Sequence, residues 1–199
     1  MMENRFTEVI KVLDGTFHSL SLHKERMKRT SEMFYQCSIN TSLEKIEVPK
    51  EFAHGLVKCR ISYSNKIEMI EYSHYNFRNL KRLRLIKSDT IDYSFKYEDR
   101  EKLNSLLDQK EDCDDILIVK NGFITDTSFS NVVLENESGL YTPSTYLLAG
   151  TKRSKLLNNG VIKEIKIQEE DLKNYSKLYL INAMIDIEDD VSVDISSIR

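Results

Sequence analysis

Apolar and polar positions alternate along residues 5–13 and predict a strand, Asp14-Gly15 marks a turn, and residues 16–20 can return antiparallel. Next, Leu22, Met27, Met33 and Phe34 fall near one helical face, which predicts a helix to about residue 36. Ser21 with Lys24 and Glu25 gives it only a partial capping box. A short helix is expected near 49–54. Residues 56–63 alternate, Ser64-Asn65 turns, and 66–75 alternate again, giving a second hairpin. A strand with cationic positions over 81–87 leads into the polar stretch Ser88-Asp89-Thr90, where the boundary between two lobes is placed: 1–87 and 88–199.

The second half opens with a predicted helix near 98–109, then the apolar strand 115–120. Asn121-Gly122 and the apolar run 123–125 follow, the strongest hairpin signal in the chain. Strands near 130–135 and 140–142, a helix near 151–158, a strand over 161–167, a helix near 169–175 and an apolar strand over 177–181 complete the pattern. Strands arranged in hairpins, not strict βαβ repeats, favour an α+β architecture of two lobes.

Composition narrows the function. Over 199 residues, 29 Lys and Arg stand against 32 Asp and Glu, for a net charge of −3. That balance argues against an electrostatic nucleic-acid binder. The basic stripe Arg78, Lys81, Arg82, Arg84, Lys87 reads better as a solvated face. No run approaches the ~20 apolar residues of a membrane-spanning helix. Met1-Met2-Glu3-Asn4-Arg5 runs straight into a strand pattern, so no signal peptide is expected and the location read from the sequence is cytoplasmic. Cys37, Cys59 and Cys113 are odd in number, widely spaced and best read as packing residues. The four histidines show no metal-ligand spacing, so no metal is expected. Neither G-x-G-x-x-G nor the P-loop pattern occurs.

Three segments could carry chemistry. Lys96, in Tyr93-Ser94-Phe95-Lys96-Tyr97-Glu98-Asp99-Arg100, has aromatic neighbours that could desolvate an amine and suit it to Schiff-base chemistry; the plain alternative is a surface lysine opening a helix. In Phe123–Thr127 and the following Ser128-Phe129-Ser130-Asn131, an acid and an amide are separated by small hydroxyl residues. Asp126 could hold a protonated heterocyclic nitrogen, or simply cap a polar turn. Gly150 leading into a helix at Thr151 presents free backbone N–H groups and a hydroxyl, a ready phosphate site or an ordinary helix start. Arg60 could meet a substrate carboxylate or pair across strands with Glu68 or Glu71.

In this order the segments resemble the C-terminal half of class IV pyridoxal-phosphate enzymes, which include branched-chain and D-amino-acid aminotransferases and 4-amino-4-deoxychorismate lyase. The family's lysine, "I-T-E-x-x-x-S-N" and "L-x-G-I/V-T-R" motifs correspond to Lys96, Ile124-Thr125-Asp126-Thr127-Ser128-Phe129-Ser130-Asn131 and Leu148-Ala149-Gly150-Thr151-Lys152-Arg153. The opening strand and "L-x-x-H-x-x-R-L" helix correspond to 6–13 and Leu20-Ser21-Leu22-His23-Lys24-Glu25-Arg26-Met27. The closing "I-T-x-E-D-L … E-V-F-L-T-N-S" is similar to Ile167-Gln168-Glu169-Glu170-Asp171-Leu172 and Leu178-Tyr179-Leu180-Ile181-Asn182-Ala183. The resemblance spans nearly the whole chain.

It implies a two-lobed, D-amino-acid-aminotransferase-like fold with pyridoxal 5'-phosphate between the lobes. Lys96 would be the Schiff-base lysine. Arg26, Asp126, Asn131, Gly150 and Thr151 would bind cofactor, and Arg60 would bind substrate. The chain would form a homodimer acting on a small amino substrate. The short chain and Lys96-Tyr97-Glu98-Asp99-Arg100, similar to the lyase's "K-x-x-N-R", imply a lyase releasing pyruvate and 4-aminobenzoate. The alternatives are a branched-chain or D-amino-acid aminotransferase, or a non-catalytic cofactor-binding module. Three positions depart from the family: Asp126 replaces glutamate, Thr151 directly follows Gly150, and Ala183 replaces a hydroxyl residue.

Overall fold

The computed structural model describes residues 4–36 and 43–199, so Cys37 lies outside the described residues. The chain divides into two compact units, Met1–Asn76 with Phe95–Asp99, and Phe77–Ser94 with Arg100–Arg199.

In the first unit, strand β1 (Phe6–Leu13) pairs antiparallel along its whole length with β3 (Leu56–Tyr63) and at its end with the short β2 (Thr16–Phe17). Helix α1 (Leu20–Tyr35) follows β2, and β4 (Ile67–His74) closes the sheet in the order β2-β1-β3-β4. Phe6, Ile10, Val12, Met27, Val57, Cys59, Ile61 and Tyr63 form its core. Burying each of the larger side chains contributes roughly 1.5–3 kcal/mol. The helix departs from its predicted face. Its buried stripe is His23, Arg26, Met27, Thr30 and Ser31, whereas Met33 is 66% exposed. A largely polar stripe can be buried because its groups are satisfied. Thr30 and Ser31 donate to the carbonyls of Arg26 and Met27, and His23 and Arg26 meet an acid on β1.

The second unit contains two sheets. In one, β5 (Leu83–Lys87) lies parallel to β6 (Asp115–Lys120), which pairs antiparallel with β7 (Phe123–Thr127); helix α2 (Glu101–Leu107) lies between β5 and β6 in sequence. β6 is buried over Asp115–Val119, as expected of a central strand. The other sheet has the order β10-β9-β8-β11-β12, from β8 (Asn131–Asn136), β9 (Gly139–Pro143), β10 (Lys163–Ile165), β11 (Lys177–Ile181) and β12 (Ser192–Asp194). Helix α3 (Thr151–Asn158) connects β9 to the parallel β10.

Several expectations need correction. Hairpins do not account for every connection, since β5 to β6 and β9 to β10 are parallel crossovers through helices. The strand at 83–87, placed in the first lobe from sequence, belongs to the second unit because its ladder partner is β6. The helix near 98–109 is shorter, ending in a 3-10 turn over Asp108–Lys110, and the segments near 49–54 and 169–175 are 3-10 turns.

Candidate functional site

In the first unit, Lys96 occupies the apex of a three-residue turn closed by the Tyr97 N–H on the Phe95 carbonyl at 2.9 Å. The segment is tied to β1, with Thr7 N–H donating to the Lys96 carbonyl at 2.9 Å and Glu98 N–H to the Arg5 carbonyl at 2.8 Å. The Phe95 and Tyr97 rings join Phe6 and Phe34 in an aromatic cluster. The two aromatic neighbours therefore anchor the turn in the core, and backbone bonds fix where Lys96 stands.

Arg26 meets Glu8, a residue not singled out from sequence. Arg26 Nε donates to Glu8 Oε1 at 2.7 Å and Nη2 to Oε2 at 2.5 Å, while His23 Nδ1 lies 2.7 Å from Oε2. Glu8 is fully buried. Burial alone would push its carboxyl up, but the charge and hydrogen bonds of Arg26, with His23, hold it down at about 2. The signal was present in the sequence: Glu8 shares the inward register of β1 with Phe6, Ile10 and Val12.

Arg60 takes the cross-strand alternative. It donates to Glu71, its register partner, and to Glu98, each at 2.8 Å, so its guanidinium is engaged by two carboxylates.

In the second unit, Asp126, Asn131 and Gly150 form one latch. Asp126 Oδ2 accepts the N–H groups of Leu147 at 3.1 Å and Leu148 at 2.9 Å, and Oδ1 accepts Asn131 Nδ2 at 2.8 Å. The same amide also donates to the Leu148 carbonyl. Asn131 is thus spent on holding Asp126 and the loop before α3. Burial pushes the Asp126 carboxyl up to about 6, against the lowering pull of those hydrogen bonds and of the Arg153 charge. Because this value is raised above the ordinary 3.8, the stability associated with Asp126 is full below that pH and is lost as pH rises through about 6.

Gly150 has an ordinary φ of −72°, so the absence of a side chain, not backbone freedom, explains it. A Cβ there would lie 1.9 Å from Asn131 Oδ1, an atom that cannot swing away without breaking two hydrogen bonds. Gly150→Ala is expected to cost about 1–3 kcal/mol by overpacking. Urea denaturation checks this, and wild-type stability would show that Asn131 is not latched.

α3 has Gly150 at its N-cap and no side-chain cap. The N–H groups of its first turn have no intrahelical acceptor. Thr151, 5% exposed, makes no side-chain hydrogen bond among the described residues. Arg153 is held by the Pro143 carbonyl, Glu164 and the Tyr146 ring. The Asn182 side chain accepts the N–H groups of Met184 and Ile185, which shapes the turn carrying Ala183.

Sequence reasoning also missed the buried Asp115. It accepts the Ser128 N–H and hydroxyl, while Arg100 donates to the Ser128 carbonyl at 2.6 Å. These contacts fix the turn between β7 and β8. Arg78, Arg82, Arg84 and Lys87 face Asp115, Asp112, Glu111 and Glu169, so most of the basic stripe is matched by acids. Cys59 and Cys113 are buried, and burial raises the Cys59 thiol to about 11, far from a reactive thiolate. No helix among the described residues is long and apolar enough to cross a membrane.

The family model for class IV amino-transferases matches residues 102–188, a span containing Asp126, Asn131, Gly150 and Thr151. An uncharacterized Haemophilus influenzae protein is 36% identical over 180 residues, covering 89% of this chain and 96% of its own. The crystal structure of a protein from Haemophilus somnus, provisionally named 4-amino-4-deoxychorismate lyase, is 35% identical with a TM-score of 0.85, over 92% of this chain and 98% of that one. A hypothetical aminotransferase from Mycobacterium tuberculosis in its PLP-bound form shares the fold at 14% identity, with a TM-score of 0.78 over 98% of this chain and 81% of that one. The match to the family model, with 35% identity over nearly the whole length of the Haemophilus somnus structure, places the chain in the class IV aminotransferase family.

Proposed function

We propose that the protein is a pyridoxal-phosphate-dependent lyase that cleaves 4-amino-4-deoxychorismate to pyruvate and 4-aminobenzoate. The observation that carries the reaction is the 35% identity to the Haemophilus somnus protein over 98% of its chain. The chain's own residues fit the cofactor. The uncapped start of α3 and the Thr151 hydroxyl offer donors to a phosphate. Asp126 uses three of a carboxylate's roughly four acceptor positions internally, which leaves one for a ring N–H.

Bound there, the cofactor supplies an electron sink for bonds at the substrate's α-carbon. Lys96 would anchor it covalently and, once released, carry the proton at that carbon. Asp126 would keep the ring nitrogen protonated. Thr151, the α3 N–H groups and Arg26 would hold the phosphate, with Arg26 acting more through donors than net charge because Glu8 neutralises it. We further read the protein as a cytoplasmic homodimer acting on a small amino substrate.

The second reading, an amino-acid aminotransferase, is supported by the family model. Incubating cofactor-loaded protein with aminodeoxychorismate, and separately with D- and L-amino acids plus a keto acid, distinguishes them. Release of 4-aminobenzoate is expected. Amino transfer without that release would favour the second reading, and cofactor binding without either activity would favour a non-catalytic module.

A further inference from the structure

α3 opens on Thr151, Lys152 and Arg153 with no acidic residue in its first turn. A cation at a helix N-terminus opposes the helix dipole, which already places partial positive charge there. Lys152 nevertheless occupies the second position of α3 and is 8% exposed. A buried ammonium needs acceptors for its three donors. Among the described residues its one acceptor is the side chain of Asp186, on the turn that follows β11 and carries Ala183. Asp186 satisfies one of the three ammonium donors. Lys152 directly follows Thr151, whose hydroxyl has no partner among the described residues, in the first turn of α3, where the N–H groups have no intrahelical acceptor. Ammonium, hydroxyl and backbone N–H donors gathered at one helix start suit an anion with several acceptor oxygens.

We propose that Lys152 binds the phosphate of the cofactor directly, with Asp186 holding the ammonium in position; this rests on the pyridoxal-phosphate reading above. Lys152 thereby supplies the donor that Ala183 lacks. Asp186 is a positioning residue.

The test is a pair of dissociation constants, for pyridoxal phosphate and for unphosphorylated pyridoxal, measured by absorbance titration on wild type, Lys152→Met and Asp186→Asn. Lys152→Met keeps the aliphatic stem and removes the charge. It is expected to weaken pyridoxal phosphate at least tenfold while changing pyridoxal less than twofold. Asp186→Asn breaks the same ion pair but leaves the cation, and is expected to preserve the preference for the phosphorylated ligand. A purely structural ion pair predicts that the two variants behave alike, with lower melting temperatures and an unchanged preference, and that result overturns the proposal. Should Lys152→Met fail to fold, Lys152→Arg replaces it: retained preference supports the proposal when salt weakens phosphate binding as steeply as in wild type, and a salt-insensitive preference overturns it. Wild-type protein that binds pyridoxal phosphate no better than pyridoxal would overturn the pyridoxal-phosphate reading itself, an outcome distinct from a normal wild type with an indifferent Lys152→Met.

Discussion

Replacing Lys96 by alanine is expected to abolish turnover and covalent cofactor attachment while leaving the fold in place. The turn that carries Lys96 is held by backbone bonds to Thr7, Arg5 and within 95–97, and by the Phe95 and Tyr97 rings, none of which needs the lysine side chain. The turn should therefore persist in the variant, and a cooperative urea unfolding transition would check it. The amine, by contrast, has no substitute in the proposed chemistry, because it both attaches the cofactor and moves a proton. Borohydride reduction of the loaded wild type followed by peptide mapping should place the label on the peptide containing Lys96. A label on Lys102, Lys120 or Lys152 would transfer the role elsewhere, and a Lys96→Ala protein with full turnover would end it.

Glu8→Ala should produce the largest loss of stability. It removes the carboxylate that faces Arg26 and His23 in the core, leaving a 7%-exposed guanidinium without its bidentate partner. Breaking a buried pair from one side costs about 3–5 kcal/mol. Glu8→Gln should cost less, since one of its side-chain atoms still accepts a hydrogen bond. The pH dependence carries a definite sign. The Glu8 carboxyl is held at about 2, below its ordinary 4.5, so its contribution is present above about 4.5 and disappears as pH falls through about 2. Urea denaturation of wild type and Glu8→Gln should thus show a stability gap that is present above about pH 4.5 and closes on acidification. A gap unchanged by acid would mean that the pair is not ionic. Because Arg26 is also a proposed phosphate residue, Glu8→Gln at neutral pH separates the roles further: the fold should survive well enough for cofactor affinity to be measured beside stability.

Much of this was legible in the sequence because the relevant forces are local. Alternation placed β1, β3 and β4, Asn121-Gly122 placed the β6–β7 turn, and the order of Lys96, Asp126 and Gly150-Thr151 marked the candidate chemistry. Even Glu8 was readable as an acid on an inward-facing register, although nothing in the chain names its partners. Local pattern misled where burial depended on distant groups. In α1 the apolar residues suggested a face containing Met33, yet the helix buries His23, Arg26, Thr30 and Ser31, because Glu8 on β1 and the helix's own carbonyls satisfy them.

By itself the sequence determined the strand and turn pattern, the near-balanced charge and the motifs that mark the family, since these depend on residue type, order and spacing. The tertiary structure alone decided that β5 joins β6 and that Arg60 is taken up by Glu71 and Glu98. It alone decided that Asn131 and Gly150 serve as a latch for Asp126 and that Lys152 is buried with one acidic partner. The physical reason is shared: a hydrogen bond or an ion pair acts over about 3 Å, and which groups come within that distance is set by how the sheets and helices pack, not by the separation of residues along the chain.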